Sequence, residues 1–256
     1  MRKTFRCRTF GLVLVVLGLT VLVHAQTTFI PTKEKDARIE EVKQLARQLL
    51  AEPDLEKRGP LREQMVKKDV IYDDEDRPRG DGFSVPGFKE LYEKGSNDLN
   101  ARLQAVIGLS VVKSADADPV LIEALRDKSP AIQFLALQAL GKKKVKAAGK
   151  PVVRLLNSKD LNVMTAAAEC LAAVGYDENG EATRVMIPLM ARHLQQLRNT
   201  NVDRKERREE LQRVIEVLGR ACGTLIPGLD WAPGQTMQDL EREVNKFMKY
   251  QQERAG

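Results

Sequence analysis

The sequence predicts an all-α fold, a right-handed α-solenoid of stacked helical hairpins preceded by N-terminal helices. Two observations carry the prediction. Apolar residues make up 43% of the 256 positions but aromatics only 5%, so the core must be built from Leu, Val, Ile, Ala and Met, which suits packed helices better than a β-sandwich. From residue 98 onward the chain also repeats with a 31-residue step. Ala105 falls on Ala136 and Ala167, Leu109 on Leu140 and Leu171, Leu121 on Val152, and Leu125 on Leu156. Register kept over successive units marks a stack in which each hairpin buries its apolar face only against its neighbours.

Taken in order, residues 1–25 have the layout of a cleavable signal peptide. Arg2, Lys3, Arg6 and Arg8 precede an apolar run from Phe10 to Val23 that is shorter than the roughly 20 residues of a membrane span. The run ends at Val23-His24-Ala25, so cleavage is expected between Ala25 and Gln26. The expected compartment is the periplasm or the exterior, with no stable span after cleavage; an uncleaved membrane anchor is the alternative reading of the same segment. Residues 26–70 read as an N-terminal helical segment. Ile39, Val42, Leu45, Ala46, Leu49 and Leu50 form one apolar stripe, Pro53 ends it, and a second helix carries Leu61, Met65 and Val70. Residues 71–86 have linker composition, with Asp73, Asp74, Glu75 and Asp76 followed by Pro78, Gly80, Gly82 and Pro86. They are expected to divide the N-terminal helices from a repeat domain over 87–256, with about four hairpins. The last hairpin is degenerate, with Leu211, Val214, Ile215, Val217 and Leu218 on one helix and Met237, Leu240, Val244 and Phe247 on the other.

The turn and helix Leu125-Arg126-Asp127-Lys128-Ser129-Pro130-Ala131-Ile132, with Ala136, Ala139, Leu140 and Gly141, resembles the bacterial short HEAT-like repeat, including the type seen in phycobilisome-lyase-like proteins. The resemblance implies a helical superhelix acting as a protein-interaction scaffold, with an enzyme or enzyme subunit of the bilin-lyase-like branch as one alternative and a self-assembling envelope protein as another. It also implies an inter-repeat Asp and Arg ladder. Only Arg102 fits the arginine position, since Gln133 and Met164 stand at the later ones. In such solenoids the second helices line the concave side. The register places Glu123, Arg126, Lys150, Arg154, Arg184 and Arg192 there, as a mildly basic partner-binding face.

Other readings follow from residue type. Lys142, Lys143, Lys144 and Lys146 lie in a turn on the rim, where a solubilising role competes with contact to an anionic partner. Trp231, the one tryptophan, is either a ligand-stacking residue or a plug for the end of the apolar stack. Without the four leader cations the net charge falls from +6 to +2, which leaves no whole-chain footprint for nucleic acid. No cofactor, metal site or catalytic group is expected. The acidic run at 73–76 does not match a calcium loop. His193 is the single imidazole beyond the leader and is expected on a helix surface, and Cys170 reads as a buried small hydrophobe that could pair only with Cys222. The partner is expected to be a protein, and self-association stays open.

Overall fold

The computed structural model describes residues 32–72, 78–80 and 82–255. The Ala25–Gln26 cleavage site and the acidic run Asp73–Asp76 lie outside the described residues. Among the described residues the chain forms eleven α-helices: α1 (Thr32–Ala51), α2 (Leu55–Asp69), α3 (Val85–Lys94), α4 (Leu99–Val111), α5 (Asp118–Ala124), α6 (Pro130–Lys143), α7 (Gly149–Leu155), α8 (Leu161–Val174), α9 (Glu181–Asn199), α10 (Lys205–Leu225) and α11 (Met237–Ala255). Short 3-10 turns at Ala115–Ala117, Lys146–Ala148 and Glu178–Gly180 lead into α5, α7 and α9. The helices alternate between two layers. The even-numbered helices from α2 to α10 pack on one another in sequence, and α1, α3, α5, α7 and α9 each pack on the helix that follows. The terminal α11 lies against α9.

The 31-residue register is the register of the core. Ala105, Ala136 and Ala167 are fully buried, as are Leu109, Leu140 and Leu171, and Leu121, Val152 and Leu156. Alanines at these points let neighbouring helices of the even layer approach closely, while the leucines and valines fill the space between layers. Turn chemistry repeats too. The carboxylates of Asp98 and Asp160 accept from the first-turn N–H groups of α4 and α8, satisfying donors that a helix start leaves unpaired. At the other end, Gly175 closes α8 in the left-handed region with φ of 65°, and Lys144 closes α6 at the equivalent position with φ of 55°.

One hydrophobic cluster runs from Val42 on α1 to Phe247 on α11, so the N-terminal helices are not set apart from the repeats by a linker. The segment read as a linker instead holds an antiparallel ribbon, β1 (Val70–Tyr72) with β2 (Pro78–Gly80), Val70 opposite Gly80. Beyond it Phe83, Ser84 and Val85 are buried, and the Ser84 N–H donates to Asp69 Oδ1 at 2.9 Å. Among the described residues the chain therefore forms five close helical pairs plus α11.

The ion-pair ladder also starts earlier than the sequence register suggests. Arg102 on α4 donates to Asp127, ahead of α6, with Nε–Oδ2 at 2.9 Å, and its Nη1 reaches the carbonyls of Gly95 and Ser96. Arg58 on α2 makes the matching contact to Asp98, ahead of α4, at 2.6 Å. The shared pattern is visible in hindsight as Asp54-Leu55-x-x-Arg58 and Asp98-Leu99-x-x-Arg102, then Asp160-Leu161-x-x-Met164. The ladder lapses where the sequence departs from the family's arginine. Gln133 reaches only the Asp127 carbonyl, and Met164 is a buried apolar residue.

Candidate interaction surfaces

Helices of the even layer pack directly on one another, whereas α5 and α7 rest on the helices of that layer more than on each other. The layer of α4, α6 and α8 is here termed the inner layer and that of α5, α7 and α9 the outer one. Glu123, Arg126, Lys150, Arg154, Arg184 and Arg192 are all exposed, in or just after the outer helices.

The inner layer carries a surface that sequence reasoning missed. Beyond the core-facing side of α4, the residues Leu99, Leu103, Ile107 and Val111 recur every fourth position and share one face. Leu99 is 46% and Val111 54% exposed, and Leu103 and Ile107 are half-buried. On α6 the surface continues through Ala131 and the half-buried Phe134, beside an open pocket of about 420 Å3 lined by Pro130, Ala131, Phe134, Asp160 and Asn162. The sequence signal was a second apolar arc on α4. A helix apolar on both sides is normally covered on both; here Leu103 packs partly against the core and Ile107 is half-buried, while Leu99 and Val111 at the two ends stand exposed.

On the outer layer, Lys150 and Arg154 share one face of α7, and Lys146 precedes them by one turn. Arg184 differs, because its guanidinium bonds the carbonyls of Asn179 and Gly180 at the start of its own helix. Lys142, Lys144 and Lys146 are exposed, but Lys143 is not part of that rim. Its ammonium reaches Asp118 at 2.7 Å and the Ser114 carbonyl at 3.0 Å, tying α6 to the turn before α5.

The remaining residues singled out by type have structural surroundings. Trp231 is half-buried with its ring centroid 5.8 Å from that of Phe247, and its indole lies over Gly219, where a Cβ would overlap the ring. It plugs the end of the stack between α10 and α11. His193 is buried at 7% exposure, which corrects the surface placement. Burial holds its imidazole below the ordinary value near 6.5; Nδ1 lies 3.2 Å from Gln196 Oε1, which partly offsets this, and Arg192 and Arg207 oppose a positive charge. Cys170 and Cys222 are both buried and unbonded, and burial pushes the Cys170 thiol up to about 12. Among the described residues no group of three or more His, Cys, Asp or Glu side chains is placed to hold a metal, and no helix is long and apolar enough to cross a membrane.

Successive helical pairs, one continuous core and a carboxylate–guanidinium ladder between units define a repeat solenoid, a class that presents long surfaces and stacks by nearest-neighbour contacts. Residues 119–216 match the family model described as HEAT repeats, so this stretch of the stack is HEAT-like. Among solved structures, two engineered proteins from the Northeast Structural Genomics Consortium are similar, at 18% and 20% identity and a TM-score of 0.41 each. They cover 82% and 81% of this chain, which in turn spans 95% of the first and 57% of the second. Comparison with curated proteins finds no match.

Proposed function

We propose that this chain is an exported, non-enzymatic scaffold that binds a protein partner on its inner face, across the outward stripe of α4 and the adjoining Phe134 pocket. The stripe carries the reading. Four aliphatic side chains in line on a solvent-facing helix form a contiguous apolar surface of the kind that marks interaction sites. Their four-residue spacing suits an amphipathic helix laid along α4 and α6. Export rests on the basic and apolar layout of residues 1–25.

Two measurements test this. A double substitution, Leu103→Asp with Ile107→Asp, removes two half-buried contacts of about 1 kcal/mol each, so a partner captured by cross-linking to the wild-type chain should bind at least about 30-fold more weakly. Undiminished capture by the double variant removes the inner face from consideration. For export, a C-terminally tagged chain expressed in a bacterium should be recovered outside the cytoplasm with Gln26 as its first residue. A cytoplasmic product that keeps its leader defeats that half of the reading. Size-exclusion chromatography distinguishes a self-assembling protein, which would elute larger as concentration rises.

A further inference from the structure

Between Lys128 and Lys159 the chain contains no Asp or Glu, but it does contain Lys142, Lys143, Lys144, Lys146, Lys150 and Arg154. Of these, Lys143 is the one committed internally, to Asp118. The others, together with Lys128 and Lys159, are exposed and make no ion pair among the described residues. Helices α3, α10 and α11 pair some of their surface cations. Lys89 pairs with Glu93, Lys94 with Glu90, Arg207 with Glu210 and Lys249 with Glu253, each three or four residues apart on one helix. One unit of the stack thus leaves its positive charge to be neutralised from outside.

A second, independent feature falls in the same place. Lys144 holds the left-handed C-terminal position of α6, where the next unit has Gly175. An L-residue with a side chain is strained there relative to glycine, and local stability alone would favour glycine.

We infer that the outer face of α7 and its leading turn, with Lys144, Lys146, Lys150 and Arg154, is a docking strip for an extended acidic peptide segment of a partner protein. The geometry suits one. Lys150 and Arg154, four residues apart on α7, are separated by roughly 6 Å along its axis, and alternate residues of an extended strand advance roughly 6.8 Å. A peptide with a carboxylate at every second position therefore meets both, with Lys146 and Lys144 in the turn ahead of them. Tyr176 lies over Gly149 at the start of α7, but it is half-buried and its hydroxyl bonds the Glu178 and Glu181 carboxylates, which makes it a poor stacking platform for single-stranded nucleic acid. The strip also lacks an exposed large apolar side chain to insert into a bilayer. This surface is separate from the inner face of the proposed function, and either can fail without the other.

The test uses the full chain and a fluorescein-labelled twelve-residue peptide of alternating Glu and Ser, read by fluorescence anisotropy. Binding is expected, weaker at higher salt and absent for the Gln–Ser version. The K146Q/K150Q/R154Q variant should bind about tenfold more weakly, as three exposed ion pairs are lost. K144G should bind more weakly while unfolding at higher denaturant. L103D/I107D should bind the peptide as wild type does. The inference is overturned if the triple variant keeps its affinity, if L103D/I107D loses it, or if a single-stranded oligonucleotide or phosphatidylserine vesicles bind these residues more tightly than the peptide.

Discussion

Replacing Arg102 by Ala should be one of the costliest single changes available in this protein. The Arg102 and Asp127 side chains are 14% and 6% exposed, so the pair is shielded from water on both sides. Burial alone would raise the Asp127 carboxyl. The Ser129 N–H, the Arg102 guanidinium and the Tyr92 hydroxyl together outweigh it and hold the group below the usual carboxylate range. Removing the guanidinium leaves that charge with the Ser129 N–H and the Tyr92 hydroxyl at 2.9 Å as partners. It also strips the carbonyls of Gly95 and Ser96 of a donor. Losing one partner of a buried pair costs about 3 kcal/mol, a large share of the roughly 5–15 kcal/mol of a typical domain. Arg58→Ala breaks the analogous contact to Asp98, whose side chain is 35% exposed; solvent then takes over part of the carboxylate, and about 1–2 kcal/mol is expected. Urea unfolding followed by circular dichroism at 222 nm measures both. Adding Asp127→Asn to Arg102→Ala should recover part of the loss, because the orphaned charge is gone. The reasoning fails if Arg102→Ala costs less than Arg58→Ala, or if the double substitution is fully additive.

Other outcomes follow from the packing. Gly219→Ala gains about 1 kcal/mol of helix propensity but drives a methyl into the Trp231 indole, for a net loss of about 1–2 kcal/mol. Since Trp231 is the one tryptophan, its emission should shift to the red as the ring is displaced, and an unchanged spectrum would argue against the plug. The buried His193 resists protonation while the unfolded chain accepts a proton near 6.5. Its contribution is therefore present above that pH and is lost as pH falls through the lower folded value. The unfolding midpoint should drop between pH 6.5 and 5, and His193→Gln should flatten that part of the profile. Cys170 and Cys222, buried with thiols pushed up from their usual range, should not react with a water-soluble thiol reagent until the chain is unfolded; fast labelling of the native protein would contradict the buried assignment.

The sequence by itself determined the repeat and its core. A 31-residue step in Ala and Leu fixes which residues share a buried face, and the buried positions of α4, α6 and α8 are the ones the step selects. What it left open were questions of coverage. Periodicity says that α4 has an apolar side; only the stack shows that Leu99 and Val111 stay exposed on a second side where Leu103 and Ile107 are half-buried. His193 is buried because α10, which begins twelve residues later, packs back on α9. The same holds for α1 and α2. A Pro-, Gly- and Asp-rich stretch looks like a boundary locally, yet the pair Arg58–Asp98 and the shared core carry the solenoid across it. A face defined by helix periodicity exists in the chain, but whether it ends inside, outside or covered is set by helices distant in sequence.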